Sequence, residues 1–347
     1  MNLISDITLS QFSEEIYTFY HGMPVFITGS SGMLGKHLRE LLANFGASVF
    51  GINSGLDLTQ PDKAKEAFNH AHNWLDGPPF IVFHLAADVG GLYYNEKSLS
   101  SVLENNIRMT SYVVEEVTKR QIPLIVCAGS VCGYPHEVKM PAKEQEFYNG
   151  YLEDTNFYYG FAKRYALTLL KAVCEEGRID NFAYPILANM FGRHDKFHSK
   201  RAHVIAALIR AAFVSKETGA PFHVLGDGTP TRDFLYAEDA AAALAIAGMR
   251  CAYPGDGVVC NIASGVPRSI TETAREIMQI VGIGDMPITY TKATTQGQMQ
   301  RSFDISLAER TLKWRPMNKF HDGLRKTIEW YEEAYYNSVS NNGVDLR

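Results

Sequence analysis

The chain has 347 residues, 46% of them hydrophobic, and a formal charge of -5 with no basic block. That length supplies roughly two domains with ample core material, and the charge pattern gives no support to nucleic acid or an anionic membrane surface as a main partner. The five cysteines, Cys127, Cys132, Cys174, Cys251 and Cys260, are odd in number and lack metal-ligand spacing, which argues against a disulfide framework and a metal site and fits a reducing, cytoplasmic setting. No apolar run approaches membrane-spanning length. Residues 1–22 carry Asp6, Glu14 and Glu15 without a basic start, so they do not read as a signal peptide. They are expected to form a helical extension, from about Leu9 to Phe19, packed on the first domain.

Residues 24 to 35 read Pro-Val-Phe-Ile-Thr-Gly-Ser-Ser-Gly-Met-Leu-Gly. A buried parallel strand over Val25 to Thr28 delivers the chain to a tight turn at Gly29. Gly32 lacks a Cβ that would keep a pyrophosphate from the backbone, and Gly35 lets the following helix pack close to the strand. Met33 and Leu34 open that helix, whose free N–H groups and positive dipole end face the phosphates. The plain alternative is a glycine-rich turn without a ligand. The strand before it and the helical run Leu38, Leu41 and Leu42 after it weigh against that reading.

Beyond the turn, Ala47 to Ile52 reads as a strand, Lys63 to Trp74 as a helix and Phe80 to Leu85 as a strand. A long helix follows over 99–120, then a strand over Pro123 to Ala128 and a helix over Tyr159 to Glu176. This alternation predicts an α/β fold, a Rossmann-type doubly wound parallel sheet over residues 23–188. From about 190 the pattern loosens into a helix near His203 to Ser215, a strand at Phe222 to Leu225, and helices interleaved with loops. The expectation is a smaller C-terminal α/β domain over 189–340, with segments returning to the first, and a flexible tail over 341–347.

The tip of the second strand commonly selects the dinucleotide, since an acid there binds the ribose 2′-OH and arginine accepts a 2′-phosphate. Asn53 and Ser54 stand there instead, with Ser30 and Ser31 as hydroxyl partners in the glycine turn, so charge decides neither NAD(H) nor NADP(H). Asp57, next to Leu58, can accept a hydrogen bond from the adenine amino group. It can equally cap the helix that follows.

Tyr159 and Lys163 lie four apart on one helical face. A neighbouring cation favours the phenolate, so Lys163 is expected to lower the Tyr159 pKa and let it exchange a proton with a carbonyl or alcohol. Ser130 follows the fourth strand, at the carboxyl edge where ligands of such sheets sit.

Together with His84-Leu85-Ala86-Ala87, these features resemble the extended short-chain dehydrogenase/reductase family. Leu225-Gly226-Asp227-Gly228-Thr229-Pro230-Thr231-Arg232-Asp233-Phe234-Leu235, followed by Glu238-Asp239, is similar to its nucleotide-sugar branch, in which the arginine contacts the substrate's diphosphate. Three further stretches are similar to the GDP-fucose synthase group. They are Asp88-Val89-Gly90-Gly91, Gly129-Ser130-Val131-Cys132-Gly133-Tyr134-Pro135, and Asn189 to Phe197 leading into Ala202-His203-Val204 and on to Arg210.

The resemblance implies C3/C5 epimerisation of a GDP-4-keto-6-deoxy sugar followed by C4 reduction with NADPH. It implies Cys132 and His203 as the epimerisation pair and Ser130, Tyr159 and Lys163 as the reduction set. Gly29, Ser31, Gly32, Met33, Leu34, Gly35, Asn53, Asp57, Leu58, Ala86 and Ala87 would then meet the cofactor. Val89, Gly90, Asn189, Arg210, Leu225 and Arg232 would meet the substrate. The arginines that the group uses for the NADP phosphate are absent, and Leu225 replaces an aromatic residue near the base.

Other roles for these residues remain open. Arg232 can form a salt bridge with Asp233 or Asp239, Cys132 can be a small buried hydrophobe, and His203 can satisfy a loop carbonyl. Rival functions are a C4 reductase acting on a GDP-4-keto-6-deoxy-heptose or related sugar, and an NADP-binding sensor without turnover. A sugar 4,6-dehydratase is disfavoured because Val131 and Cys132 replace its acid pair. The helices over 99–120 and 159–176 carry Val113, Val114, Val117, Leu167, Leu169, Leu170 and Val173 on more than one face. As in the resembled family, they are expected to pair across a homodimer axis as a four-helix bundle.

Overall fold

In the computed structural model, residues 14–336 are described except 92–93, 95–96, 198–201, 254, 256 and 292–296. Short apolar strands alternate with amphipathic helices through the first half of the chain: β1 (Pro24–Thr28), α1 (Met33–Asn44), β2 (Ser48–Ile52), α2 (Pro61–Leu75), β3 (Ile81–His84), α3 (Leu99–Lys119), β4 (Leu124–Cys127), β5 (Gly129–Ser130), α4 (Phe157–Glu175) and β6 (Asn181–Leu187). Strands β3, β4 and β6 are buried at every residue, which requires helices on both faces of the sheet. The order is β10-β6-β4-β3-β1-β2 with β5 also on β6, and every pair is parallel.

Strand order reverses at β1, which lies between β2 and β3. The crevice at the carboxyl ends of β1 and β3 is therefore the topological switch point where ligands of doubly wound sheets bind. The glycine turn leaves β1 there, and Leu85-Ala86-Ala87 leaves β3 beside it.

The second half comprises β7 (Asn189–Phe191), α5 (Val204–Thr218), β8 (Phe222–Leu225), β9 (Thr231–Tyr236), α6 (Ala237–Arg250), β10 (Val258–Ile262), β11 (Pro267–Ser269), α7 (Ile270–Val281), β12 (Ile288–Thr291), α8 (Ser306–Thr311) and α9 (Phe320–Trp330). Three elements of this half complete the first lobe, among them α8, which packs on β10 and places Ala308 in the first core. Strand β10 pairs with β6 as the sheet's edge. The alanine-rich α6, buried over most of its length, packs against α1. The remainder forms a second lobe with its own core, including Phe191, Phe197, Phe213, Phe234, Ile277 and Leu324. The expected strand Phe222 to Leu225 is β8, and where the sequence pattern otherwise suggests helices and loops the lobe holds further strands, in two small sheets β11-β9-β7 and β12-β8.

Residues 14–20 are helical and pack on α6. Tyr20 is fully buried and donates its hydroxyl to Ala245 O at 2.7 Å, while Glu15 pairs with Arg250 at 3.0 Å. Burying such a ring contributes roughly 1.5–3 kcal/mol. The start of the expected extension, near Leu9, and the expected tail at 341–347 lie outside the described residues.

Most apolar residues named for the helix pairing are occupied inside the chain. Val113, Val114, Val117, Leu167, Leu170 and Val173 are buried within this one chain, because α3 lies directly against α4. Leu169 alone of that set stays partly exposed. No described helix is long and apolar enough to cross a membrane.

Candidate active site

The glycine turn is built for close approach. Gly29 has φ +71°, and a Cβ there would lie 2.7 Å from Ala86 N; a Cβ on Gly35 would lie 2.2 Å from Gly29 O. Gly32 differs, since its Cβ would meet only Gly29 O at 3.4 Å and the residue faces the open crevice. No side chain caps α1 and no acid occupies its first turn, so its positive end is left for an anion. These features fit a dinucleotide pyrophosphate. Leu34 is buried, which leaves its amide, like that of half-buried Met33, as the group on offer.

The ribose end is more selective than the sequence indicates. Ser30 turns inward and donates to Ile52 O at 2.9 Å, so the exposed hydroxyl is that of Ser31. Asn53 Oδ1 accepts from Gly55 N at 2.8 Å. Asp57 Oδ1 accepts from Thr59 N at 3.0 Å and Thr59 Oγ1 at 2.7 Å. It closes a local turn, and the cap position of α2 falls to Gln60; Leu58 beside it is buried. At the switch point Ala86 N donates to Thr28 Oγ1 at 3.3 Å, and Thr28 Oγ1 also meets His84 Nδ1 at 2.9 Å. Burial, then the charge of Lys163, pushes His84 down to about 3, so it stays neutral. Ala87 is half-buried one residue further along.

Ser130 ends β5 and caps the one-turn helix Val131–Gly133, its Oγ accepting from Cys132 N at 3.2 Å. Helix α4 rests on that turn, for a Cβ on Gly160 would sit 2.2 Å from Cys132 O. Tyr159 is thereby buried beside Ser130, and Lys163 Nζ donates to Ala128 O at 2.7 Å, 5.5 Å from the Tyr159 ring centre. The neighbouring Tyr158 is exposed.

The expected lowering of the Tyr159 pKa does not hold. Burial pushes the phenol well above its ordinary range, Cys132 and Cys127 add to this, and the hydrogen bond with Ser130 only partly opposes it. Burial likewise lowers Lys163. Both groups are driven toward their neutral forms, because removing water penalises charge on either one.

Cys132 is half-buried, unlike Cys127, Cys251 and Cys260. Arg301 Nη1 approaches its Sγ at 4.0 Å. Arg301 donates Nε to Gln298 Oε1 at 2.8 Å and holds Nη2 3.7 Å from Glu153 Oε2. Arg232 stands near it, donating Nη1 to Thr231 O and Gln298 O, both at 2.8 Å. Burial first, and then the charge of Arg301, pushes Arg232 down to about 10.

The suggested salt bridge from Arg232 to Asp233 or Asp239 is absent among the described residues. Asp233 accepts from Ser264 and Gly265, and Asp239 from Met317 and Asn318. Glu153, Gln298 and Arg301 escape sequence reading. The strap carrying the last two has no motif spacing, and 169 positions separate Arg301 from Cys132.

The remaining candidates lie on several elements of both lobes. Val89 and Gly90 follow β3 on a loop pinned to α3 by Asp88 O and Asn106 Nδ2 at 2.8 Å, and a Cβ on Gly90 would strike the Tyr94 ring. His203 caps α5 in the second lobe, its Nδ1 3.6 Å from Asp195 Oδ1. Arg210 lies half-buried two turns along α5. Asn189 opens β7, and Leu225 ends β8 with 72% of its surface exposed.

A family model, the NAD dependent epimerase/dehydratase family, matches residues 25–263. The chain belongs to that family. Within it, the chain is similar to the GDP-L-fucose synthase of Sinorhizobium fredii, at 30% identity over 327 residues, 92% of this chain and 98% of the relative. Its fold is shared by a GDP-L-fucose synthetase from Naegleria fowleri bound to NADP, with TM-score 0.77 and 24% identity, covering 90% of this chain and 93% of the other. It is shared equally by a GDP-6-OMe-4-keto-L-xylo-heptose reductase from C. jejuni, with TM-score 0.80 and 21% identity, covering 90% and 98%.

Proposed function

We propose that the protein is an NADP-dependent epimerase/reductase that inverts C3 and C5 of a GDP-linked 4-keto-6-deoxy sugar and then reduces C4. The observation that carries this reading is the packing of Ser130, Tyr159 and Lys163 on the same turn as Cys132, with Arg232 and Arg301 beside it. The names of the relatives support the substrate class, and the NADP-bound neighbour supports the cofactor.

NADPH, when bound, supplies the hydride for C4. The exposed Gly32, the amides opening α1 and Ser31 would hold its phosphates and ribose. Ser130 hydrogen-bonds the C4 oxygen, and Tyr159 passes its phenolic proton to that oxygen as the alcohol forms. Burial keeps the proton on Tyr159 in the resting site, so the phenol is in the form that can donate when an alkoxide forms. Lys163 orients the cofactor ribose.

For epimerisation, the 4-keto group acidifies the C3 and C5 protons. Cys132 removes a proton from one face and His203, whose Nδ1 lies 3.6 Å from Asp195 Oδ1, returns one to the other. Arg232 meets the diphosphate. Carbonyl acceptors hold it in place without cancelling its charge.

Four outcomes are expected. Tyr159→Phe lowers kcat by about two orders of magnitude or more with binding nearly intact; full turnover in the variant would remove Tyr159 from the mechanism. The kcat/KM for NADPH exceeds that for NADH, and equal values would end the cofactor preference. A homodimer forms through what α3 and α4 leave exposed, including Phe161 and Leu169, so light scattering at micromolar concentration gives twice the chain mass; a single-chain mass contradicts it. In heavy water, wild-type protein with 4-keto substrate and oxidised cofactor incorporates deuterium at C3, C5 or both. Cys132→Ser abolishes that exchange while C4 reduction of the unepimerised sugar persists. C4 reduction by wild type without any carbon-bound exchange would make the protein a simple 4-ketoreductase.

A further inference from the structure

We propose that Arg301 is a positioning residue for Cys132: its guanidinium, fixed by Gln298 and Glu153, is the counter-ion that keeps the sulfur in its reactive anionic form. The inference rests on the proposed role of Cys132 as the epimerisation base, and its test is independent of turnover.

Among the described residues four cations lie near the Cys132 turn, and the hydrogen bonds of three are directed elsewhere, although the charges of Lys163 and Arg232, like the Tyr159 phenol, also reach Cys132. Arg164 donates Nε to Gly133 O at 2.8 Å. Lys163 donates to Ala128 O at 2.7 Å. Arg232 directs Nη1 to Thr231 O and Gln298 O. Arg301 is oriented differently. Its Nε is held by Gln298 Oε1 at 2.8 Å and its Nη2 faces Glu153 Oε2 at 3.7 Å, which aims Nη1 at Cys132 Sγ, 4.0 Å away.

The charge count points the same way. Arg301 and Glu153 are both buried, and Arg232 lies close enough to shift with the charge of Arg301. Two guanidiniums thus face one carboxylate. Glu153 is itself shared, accepting from Thr155 N at 3.2 Å, from Thr155 Oγ1 at 2.7 Å and from Asn156 Nδ2 at 3.1 Å. Buried charge left uncompensated is costly. The substrate's diphosphate answers Arg232, and a thiolate answers Arg301, because a neighbouring guanidinium favours thiolate over thiol.

The backbone fixes this arrangement. Arg301 N donates to Thr231 O at 3.2 Å, and Gln298 Nε2 donates to Pro135 O at 3.1 Å. The strap therefore bridges β9 and the loop after Cys132. In the step this serves, the C–H bond breaks and an S–H bond forms on Cys132. The bonding pair moves onto the C4 oxygen as an enolate, and a new C–H bond takes its proton from His203.

The test is alkylation of Cys132 by iodoacetamide in a Cys174→Ser background, since Cys174 is the other cysteine that is not buried. Arg301→Met is expected to slow alkylation at pH 7 by about tenfold, while the plateau rate at high pH, where every thiol is ionised, is unchanged. Arg301→Lys, which keeps the charge, restores most of the neutral-pH rate. A wild-type rate in Arg301→Met at pH 7 overturns the proposal. So does a fall at every pH, which would signal altered access. Glu153 keeps Thr155 and Asn156 as partners when Arg301 is lost. Arg301→Gln is read by the same criteria should the Met variant not fold. No sugar nucleotide is present, so the alkylation result stands apart from whether wild-type protein exchanges substrate protons.

Discussion

Gly160 lies against the carbonyl of Cys132 so tightly that any side chain there would stand 2.2 Å from it. That contact presses α4 onto the turn after β5 and sets everything nearby. Arg164 ties the same helix to Gly133 O at 2.8 Å and to Gly150 O at 2.9 Å, and Tyr184 donates to Lys163 O at 2.7 Å from β6. Tyr159 and Lys163 therefore cannot move independently of Ser130 and Cys132. One rigid junction holds the groups proposed for C4 reduction and the sulfur proposed for epimerisation. A sugar whose keto oxygen sits at Ser130 brings C3 and C5 to the same junction.

Desolvation, more than pairing, decides protonation at this junction. The spacing of Tyr159 and Lys163 suggests an ammonium that lowers a phenol. In the folded protein both groups are deprived of water, and burial is the largest cause of shift for each. A phenol held above its ordinary range keeps its proton in the resting site and is a weaker acid there, so it gives the proton up only to an oxygen more basic than its own phenolate. His84, neutral for the same reason, can bridge Thr28 and Thr110 without adding a second positive charge behind Lys163.

What was legible in the sequence was local. The glycine turn, the Tyr159/Lys163 spacing and Ser130 after a strand are set by contacts within a few residues, and the geometry of each follows from its spacing. The central strand β6 was less legible because Pro185 interrupts it, and a proline argues against an interior strand. On one side of β6 Pro185 falls in a gap, since pairing with β4 ends at Ala183 and pairing with β5 begins at Ile186, while on the other it stands in register with Cys260 of β10. Ser30 read as a ligand hydroxyl because sequence does not show which way a side chain turns. The valines of α3 read as an intermolecular face because burial against α4 is a tertiary fact. Arg301, Glu153 and Gln298 meet only when the two lobes close on one another, and no short-range pattern announces them.

The second lobe also explains why Arg232 retains a usable charge. Its sequence neighbours Asp233 and Asp239 would cancel a surface arginine, yet each carboxylate is turned away and held by backbone N–H groups. Ser264 and Gly265 hold Asp233, and Met317 and Asn318 hold Asp239. Those bonds are structural, because they fasten the loops after β10 and before α9 to β9 and α6. Their effect on the site is electrostatic. With the acids committed elsewhere, Glu153 is the one buried carboxylate near Arg232 and Arg301 among the described residues. A cleft with that imbalance favours anions by long-range attraction as well as by contact. Net charge gives no hint of this, since the chain as a whole carries -5. Local positive charge arises where the fold uses Asp233 and Asp239 as backbone acceptors and leaves Arg232 and Arg301 mainly neutral partners.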